Sequence, residues 1–314
     1  MNCSEKLWKE YAIEPEVLDN WCNIRIFLFH LGFENGRILI NFPSEGSTMK
    51  WSTRVKECAK KNVKQVEYHR CVEKLNRLCV PSNRHYQDEI SWIDNAIIEN
   101  KKNQFYAVIH NSDRNFEEDN FYLSQDIYED HPVWKIDKTM RIQKNSETIA
   151  RIAEPLFKHA NKIKFIDPYF DPGKTWYKDA FNTYLKTVYQ FQNPYPKVEI
   201  HCKYYLKDKD GNIYDSNKWK DVCQKIDENI PKGEKIDIVR WRRLKEGDKP
   251  HARYILSIRG GMGIEYGLDD GQKGNKTDIY LLNDKMVSQI WNNYYIYESA
   301  SSDKYDFLSL GKEK

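Results

Sequence analysis

Three short apolar runs in the second half of the chain constrain its fold more than any other feature. Lys-Ile-Lys-Phe-Ile-Asp (162–167), Val-Glu-Ile-His (198–201) and Ile-Asp-Ile-Val-Arg-Trp (236–241) have strand length and are rich in Ile and Val. Segments of helical character lie between them, near 175–191 and 216–229, the second stopped by Pro231. Strands that alternate with helices are joined by crossovers, and strands this apolar are covered on both faces. The pattern predicts an α/β sheet, in part parallel and flanked by helices. Two more strands surround Gly260-Gly261, which reads as their turn. A strand over 277–282 and a closing helix over 284–298 complete the set.

The first half reads as α-rich. A helix opens around Pro15, basic helical segments run from Ser47 to about Asn62 and from Val63 to Leu78, and residues 90–98 have apolar side chains at helical spacing. Residues 105–110 form one short strand, and 111–120 a polar loop. This division predicts an α-rich α+β domain over 1–144, a mixed-sheet domain over 145–300 and a flexible tail over 301–314.

A net charge of +3 is too small to mark a nucleic-acid binder, so any such function must rest on local patches. The N-terminus lacks the basic-then-apolar pattern of a signal peptide. The longest apolar run, residues 24–33, is short and interrupted by Arg25 and His30, so no membrane span is expected. Seven cysteines, an odd count without a Cys-x-x-Cys pair, read as reduced thiols of a cytoplasmic protein. His69, Cys71, Cys79 and His85 cluster within a short stretch, but their spacing fits no zinc-ligand pattern, and no metal or cofactor is expected.

In α/β sheets ligands collect beyond the carboxyl ends of the strands, which brings Asp167, His201 and Arg240 toward one rim. Asp167 also reads as a turn residue before Pro168. His251 and Arg253 stand two apart in a strand and so share a face. Imidazole beside guanidinium suits a phosphate: neutral His can attack phosphorus or move a proton, and Arg can fork two hydrogen bonds to the nonbridging oxygens. A His paired locally and a solvated Arg would look the same. Residues 240–245 and 203–207 interleave cations with aromatics, a combination that holds phosphates and stacks bases. Lys50, Arg54, Lys56, Lys60, Lys61, Lys64, Arg70, Lys74 and Arg77 form a denser basic run, suited to nucleic acid or an acidic protein partner.

Residues 145 to about 295 resemble the phospholipase D-like superfamily, and look most like the single-module form at the C-terminus of MIT-domain proteins and in many bacterial proteins. The matching stretches are Ile-Asp-Pro-Tyr-Phe-Asp-Pro (166–172), Arg-Trp-Arg-Arg (240–243), His-x-Arg-Tyr (251–254), Gly-Gly (260–261), Gly-Leu-Asp-Asp (267–270) and Thr-Asp-Ile (277–279). The resemblance implies a metal-independent phosphodiesterase, here a nuclease, with His251 as nucleophile, Arg253 on the phosphate and Asp269 or Glu265 orienting the imidazole. It implies substrate contacts from Asp167, His201, Arg240, Arg242, Thr277 and Asp278. One module supplies one His, so a complete site implies a homodimer. Bacterial proteins of this look are associated with mobile elements or antiphage defence.

The chain departs from the family motif of His-x-Lys, four residues, Asp, then Gly-Ser-x-Asn. Arg253 replaces Lys, and Gly267-Leu268-Asp269-Asp270 replaces the polar element. Ile258 stands in place of Asp, on the face opposite His251, where it is expected to be buried. His201-x-Lys203 with Asp208 matches the spacing literally, but residues 207–212 read as a hairpin-type turn. Two further functions therefore stay open: a module that binds nucleic acid and has lost the reaction, and a scaffold whose N-terminal half recruits a protein partner.

Overall fold

Five runs of only three to five residues pair into one parallel sheet in the first half of the chain. The computed structural model describes residues 6–43, 50–59, 65–191, 194–208, 210–244, 251–296 and 304–311. Lys60, Lys61, Lys64, Lys245, Lys249 and the side chain of His69 lie outside what is described. The chain divides into two units, Met1–Lys138 and Thr139–Lys314.

The first unit contains β1 (Lys9–Ile13), α1 (Trp21–His30), β2 (Arg37–Asn41), α2 (Trp51–Ala59), α3 (Gln65–Leu78), β3 (Cys79–Pro81), α4 (Trp92–Lys102), β4 (Ala107–His110) and β5 (Phe121–Leu123). The strand order is β3-β2-β1-β4-β5, and every pairing is parallel. The expectation of an α+β domain is corrected here to a parallel α/β unit. Strands this short give no usable periodicity, so their residues merge with the neighbouring helical patterns. Tyr11, Ile13, Leu39, Ala107 and Ile109 from the strands pack with Phe27, Trp51 and Trp134 in one core. The residues after Glu14 form a 3₁₀ turn, Pro15–Asp19, in place of the expected helix.

The second unit contains β6 (Thr139–Gln143), α5 (Ser146–Lys158), β7 (Lys162–Ile166), α6 (Thr175–Val188), β8 (Lys197–Lys203), α7 (Ser216–Cys223), β9 (Lys235–Trp241), β10 (Tyr254–Ser257), β11 (Gly260–Ile264), β12 (Lys276–Leu281), α8 (Asp284–Asn293) and β13 (Tyr305–Gly311). The eight-stranded sheet runs β13-β9-β8-β7-β10-β11-β12-β6. Strands β7, β8 and β9 are parallel, and all other pairings are antiparallel. The sheet is mixed α/β with helices, as the alternation predicts. Two details differ. The division falls before β6, so residues 139–144 belong with this sheet. Residues 305–311, expected as tail, form an edge strand along β9.

Alternation along the central strands builds a layer on each face. Phe165 points toward α5 and α6, where it meets Phe157, Phe181 and Tyr184. Lys164 and Ile166 point to the α8 face, where Ile166 joins Trp241, Leu256, Val287 and Tyr294. Lys164 is fully buried and donates to the Tyr294 carbonyl at 2.6 Å, at the carboxyl end of α8. A cation there satisfies carbonyls that the helix leaves open. Burial, opposed by the Glu199 carboxylate, lowers its pKa to about 8.

Strand β13 is held by charge as well as by its ladder. Asp306 accepts from Arg240 and from Arg242, each at 2.8 Å. Arg240 is 1% exposed and also donates to the Tyr214 carbonyl at 2.9 Å. We predict that Asp306→Ala lowers stability by about 1.5–3 kcal/mol, the range for a lost hydrogen bond to a charged group. A shift of the denaturant midpoint checks this, with Asp306→Asn falling in between.

Candidate functional site at the carboxyl edge of the second sheet

Strand directions bring several chain segments to one edge. The carboxyl ends of β7, β8, β9 and β11 lie there, with the start of β10, because β10 and β11 are antiparallel neighbours beside β7. Asp167, the first residue after β7, is fully buried at the centre of this edge. Its Oδ1 accepts from the Tyr169 N–H at 2.9 Å, closing the Asp-Pro-Tyr turn, and its Oδ2 accepts from the Leu268 N–H at 2.8 Å. Burial pushes its pKa up, and these two N–H donors act in the other direction. Asp167 is therefore both the turn residue and a clamp across strands.

The segment 267–270 is a latch around that clamp. Gly267 has φ +99°, and a Cβ there would stand 2.7 Å from Asp269 Oδ1 and 3.4 Å from Asp167 Oδ2, so glycine is required on both counts. The Leu268 carbonyl accepts from the buried Tyr184 hydroxyl at 2.9 Å. Both Asp269 oxygens take Lys144 Nζ at 2.9 Å, and Asp270 accepts from the Ser146 N–H at 2.6 Å, tying down the start of α5. Asp269 is thus committed to Lys144, which gives it a structural pairing in place of the expected hold on the imidazole. Nothing in the spacing of Lys144 singles it out in the sequence.

Arg253 lies over the Tyr169 ring at 4.9 Å and donates to the Glu265 carbonyl at 3.2 Å. Lys203, at the end of β8, lies over the same ring at 3.8 Å. Burial, then the charges of Lys174 and Arg253, lower the Lys203 pKa, so these cations feel one another. Tyr169 is 42% exposed, and Trp176, Tyr205 and Tyr266 on the adjoining segments are more so. His251 and Arg253, expected in a strand and sharing a face, lie in the segment before β10, which begins only at Tyr254, and His251 is exposed. The Glu265 side chain is exposed, and its backbone N–H donates to the Asp278 carbonyl.

Other expected site residues have different tasks. His201 is fully buried on the α8 face, because strand parity pairs it with Ile166. Its Nδ1 accepts from the Trp241 indole at 3.0 Å and its Nε2 meets Glu199 at 3.2 Å, so it does not reach the edge. Arg240 is enclosed between Tyr204 and Trp219 at 4.8 Å each, and Arg242 lies over Tyr204 at 3.9 Å. Thr277 is buried and accepts from the Tyr266 N–H at 3.3 Å. Asp278, its neighbour, points to the opposite face and pairs with Arg141 at 2.8 and 2.9 Å.

The hairpin also departs from expectation. Its turn is Ile258–Arg259, while Gly260 and Gly261 are in β11 opposite Ser257 and Leu256. Ile258 is accordingly 62% exposed and not buried. The stretch after His201 behaves as a turn closed by Asp208 and Asn212, with Asp208 paired to Lys218. In the first unit, Arg54 is turned onto Glu16 at 2.5 Å, while Arg70, Lys74 and Arg77 are exposed on α3. Among the described residues no cluster of three or more His, Cys, Asp or Glu side chains is placed to hold a metal ion. Among them, too, no helix is long and apolar enough to cross a membrane.

No family model matches the chain, and no curated protein matches it. Among solved structures, TrmBL2, described as an archaeal chromatin protein with a novel mode of DNA binding, aligns at 9% identity with a TM-score of 0.25. The alignment spans half of each chain. A likeness this weak carries no argument about fold or function.

The His201 cluster has a pH signature. Burial lowers the His201 pKa to about 4, so below its ordinary value of 6.5 the unfolded chain binds a proton that the folded one refuses. Stability from this group is full above pH 6.5 and is lost as pH falls toward 4. Glu199, held near 2 against its own burial by His201, Lys164 and Lys162, extends the loss to lower pH. The unfolding midpoint of the protein should fall over this window, and His201→Gln should flatten the upper part of the slope.

Proposed function

We propose that the second unit is a phospholipase D-like module that binds a single-stranded nucleic acid along the carboxyl edge of its sheet. The observation that carries this reading is Tyr169, an exposed ring flanked by Lys203 and Arg253 at 3.8 and 4.9 Å. Cations gathered this closely repel one another and gain from an anion between them. Exposed Tyr and Trp faces offer stacking platforms that any base can use. The buried Asp167, engaged by two N–H groups, holds the Tyr169 turn in place, so the platform is formed before ligand arrives.

A second reading keeps the reaction. His251 stands two residues from Arg253 at the approach to β10, where it could attack a phosphodiester held by Arg253 and Lys203. It would work without a metal, and a second copy of the chain would supply the histidine that protonates the leaving group. Asp269, occupied by Lys144, favours binding over turnover.

Titration of a labelled single-stranded oligonucleotide at several salt concentrations tests the proposal. Binding should weaken with salt, and Lys203→Ala and Arg253→Ala should each reduce the slope of log affinity against log salt by about 0.7. Tyr169→Ala should cost about 1–3 kcal/mol of affinity with the slope unchanged. Absence of salt-dependent binding would reject the reading. Cleavage in EDTA that disappears in His251→Ala would move the assignment to the phosphodiesterase.

A further inference from the structure

Helix α1 carries apolar side chains on its outward side as well as its inward side. Ile24, Phe27 and Leu28 pack in the core of the first unit. Ile26 is half-buried, and Phe29 is 68% exposed, more than any other large apolar side chain among the described residues. A helix that is apolar on both sides is suited to being covered on both. One exposed ring alone would mean little, but this one borders a groove. Cys22, Arg25, Ile26 and Phe29 stand at i, i+3, i+4 and i+7 and so form a single stripe along α1. With Leu28 and His30 of the same helix and Lys74 of α3, that stripe lines a groove of about 560 Å³. Its volume is within the range of formed binding pockets.

Charge selects what the groove can take. Arg25 and Lys74 line it, and Arg70 stands one turn before Lys74 on the same face of α3, all three exposed. None of the three has an ion-pair partner among the described residues. Glu129 is the one acid among the described lining residues. His30, stacked on Trp134 at 4.7 Å, adds no charge, because burial and then Arg37 lower its pKa to about 4. Cations beside an apolar stripe call for carboxylates beside apolar side chains. A nucleic-acid strand fits less well, since Ile26 and Leu28 offer no face for a base and Glu129 opposes a phosphate. Helices α1 and α3 pack side by side, and a groove along a helix pair is where an amphipathic helix lays its apolar face.

We propose that the groove between α1 and α3 binds an acidic amphipathic helix of a partner protein. The apolar face of that helix lies on Ile26 and Phe29, and its carboxylates meet Arg25 and Lys74. The groove is in the first unit, and the nucleic-acid reading concerns the second.

Selection of a displayed library of random peptides about four helical turns long, on the immobilised full chain, tests this. Enriched peptides should carry Asp or Glu beside apolar residues at helical spacing. In fluorescence anisotropy a labelled copy should bind more weakly as salt rises. Phe29→Ala should weaken it about tenfold or more, as for an aromatic anchor, and so should Arg25→Glu combined with Lys74→Glu. All these side chains are exposed, so the melting temperature should stay as it is in the unchanged protein. No enriched peptide, enrichment of neutral or basic peptides, or equal binding by the Phe29 variant would overturn the proposal. So would displacement of the peptide by a single-stranded oligonucleotide, which would give the groove to nucleic acid. A smaller oligomer in Phe29→Ala would give it to a second copy of the chain and overturn the proposal as well.

Discussion

The carboxylate of Asp167 organises the second unit. Buried, and with no cation bonded to either oxygen among the described residues, it is held by the N–H groups of Tyr169 and Leu268, from segments about a hundred residues apart in sequence. A buried carboxylate with fewer donors would be costly, so the two segments are fixed relative to each other by the need to satisfy it. Tyr169 faces outward as a consequence, and Leu268 faces in. The cations that meet over the Tyr169 ring reach it from two strands that flank β7, β8 on one side and β10 on the other. The edge thus has buried carboxylates, Asp167 and Asp171, beneath an outer layer of cations and aromatic faces.

Much of this fold is readable from sequence where the strands are long. Residues 162–166, 197–203 and 235–241 are apolar over enough length to separate strand from helix, and their order predicts the parallel core. The first unit hides its sheet because Cys79–Pro81 and Phe121–Leu123 are three residues each, below the length at which a period can be counted. Strand β13 is hidden for another reason: Asp-Phe-Leu-Ser-Leu alternates only weakly, and its place depends on Asp306 meeting two arginines from a distant strand.

The site was legible in part. The Asp-Pro-Tyr-Phe turn points to Asp167, whereas His251 and Arg253 precede β10 and are not in it, so the strand spacing that would put them on one face does not apply. Spacing cannot say which of several acids or histidines face that edge, because one residue of parity decides it. His201 and Asp278 fall on the wrong faces for that reason, while Asp269 falls near but is taken by Lys144. Ile258 is exposed because the turn is Ile258–Arg259 and not Gly260-Gly261, which carries its side chain from the interior to solvent.

Asp306 has a further consequence for how the edge can be used. Arg242 would otherwise extend the positive surface past Tyr204, but its charge and that of the buried Arg240 are already answered by a strand of the same sheet. A polyanion that continued in that direction would compete with β13 for them and loosen the sheet as it bound. On the proposed reading, the track for such a polymer stops near Lys203 and turns toward Arg253. The strand that finishes the sheet would then also set the reach of what the sheet holds.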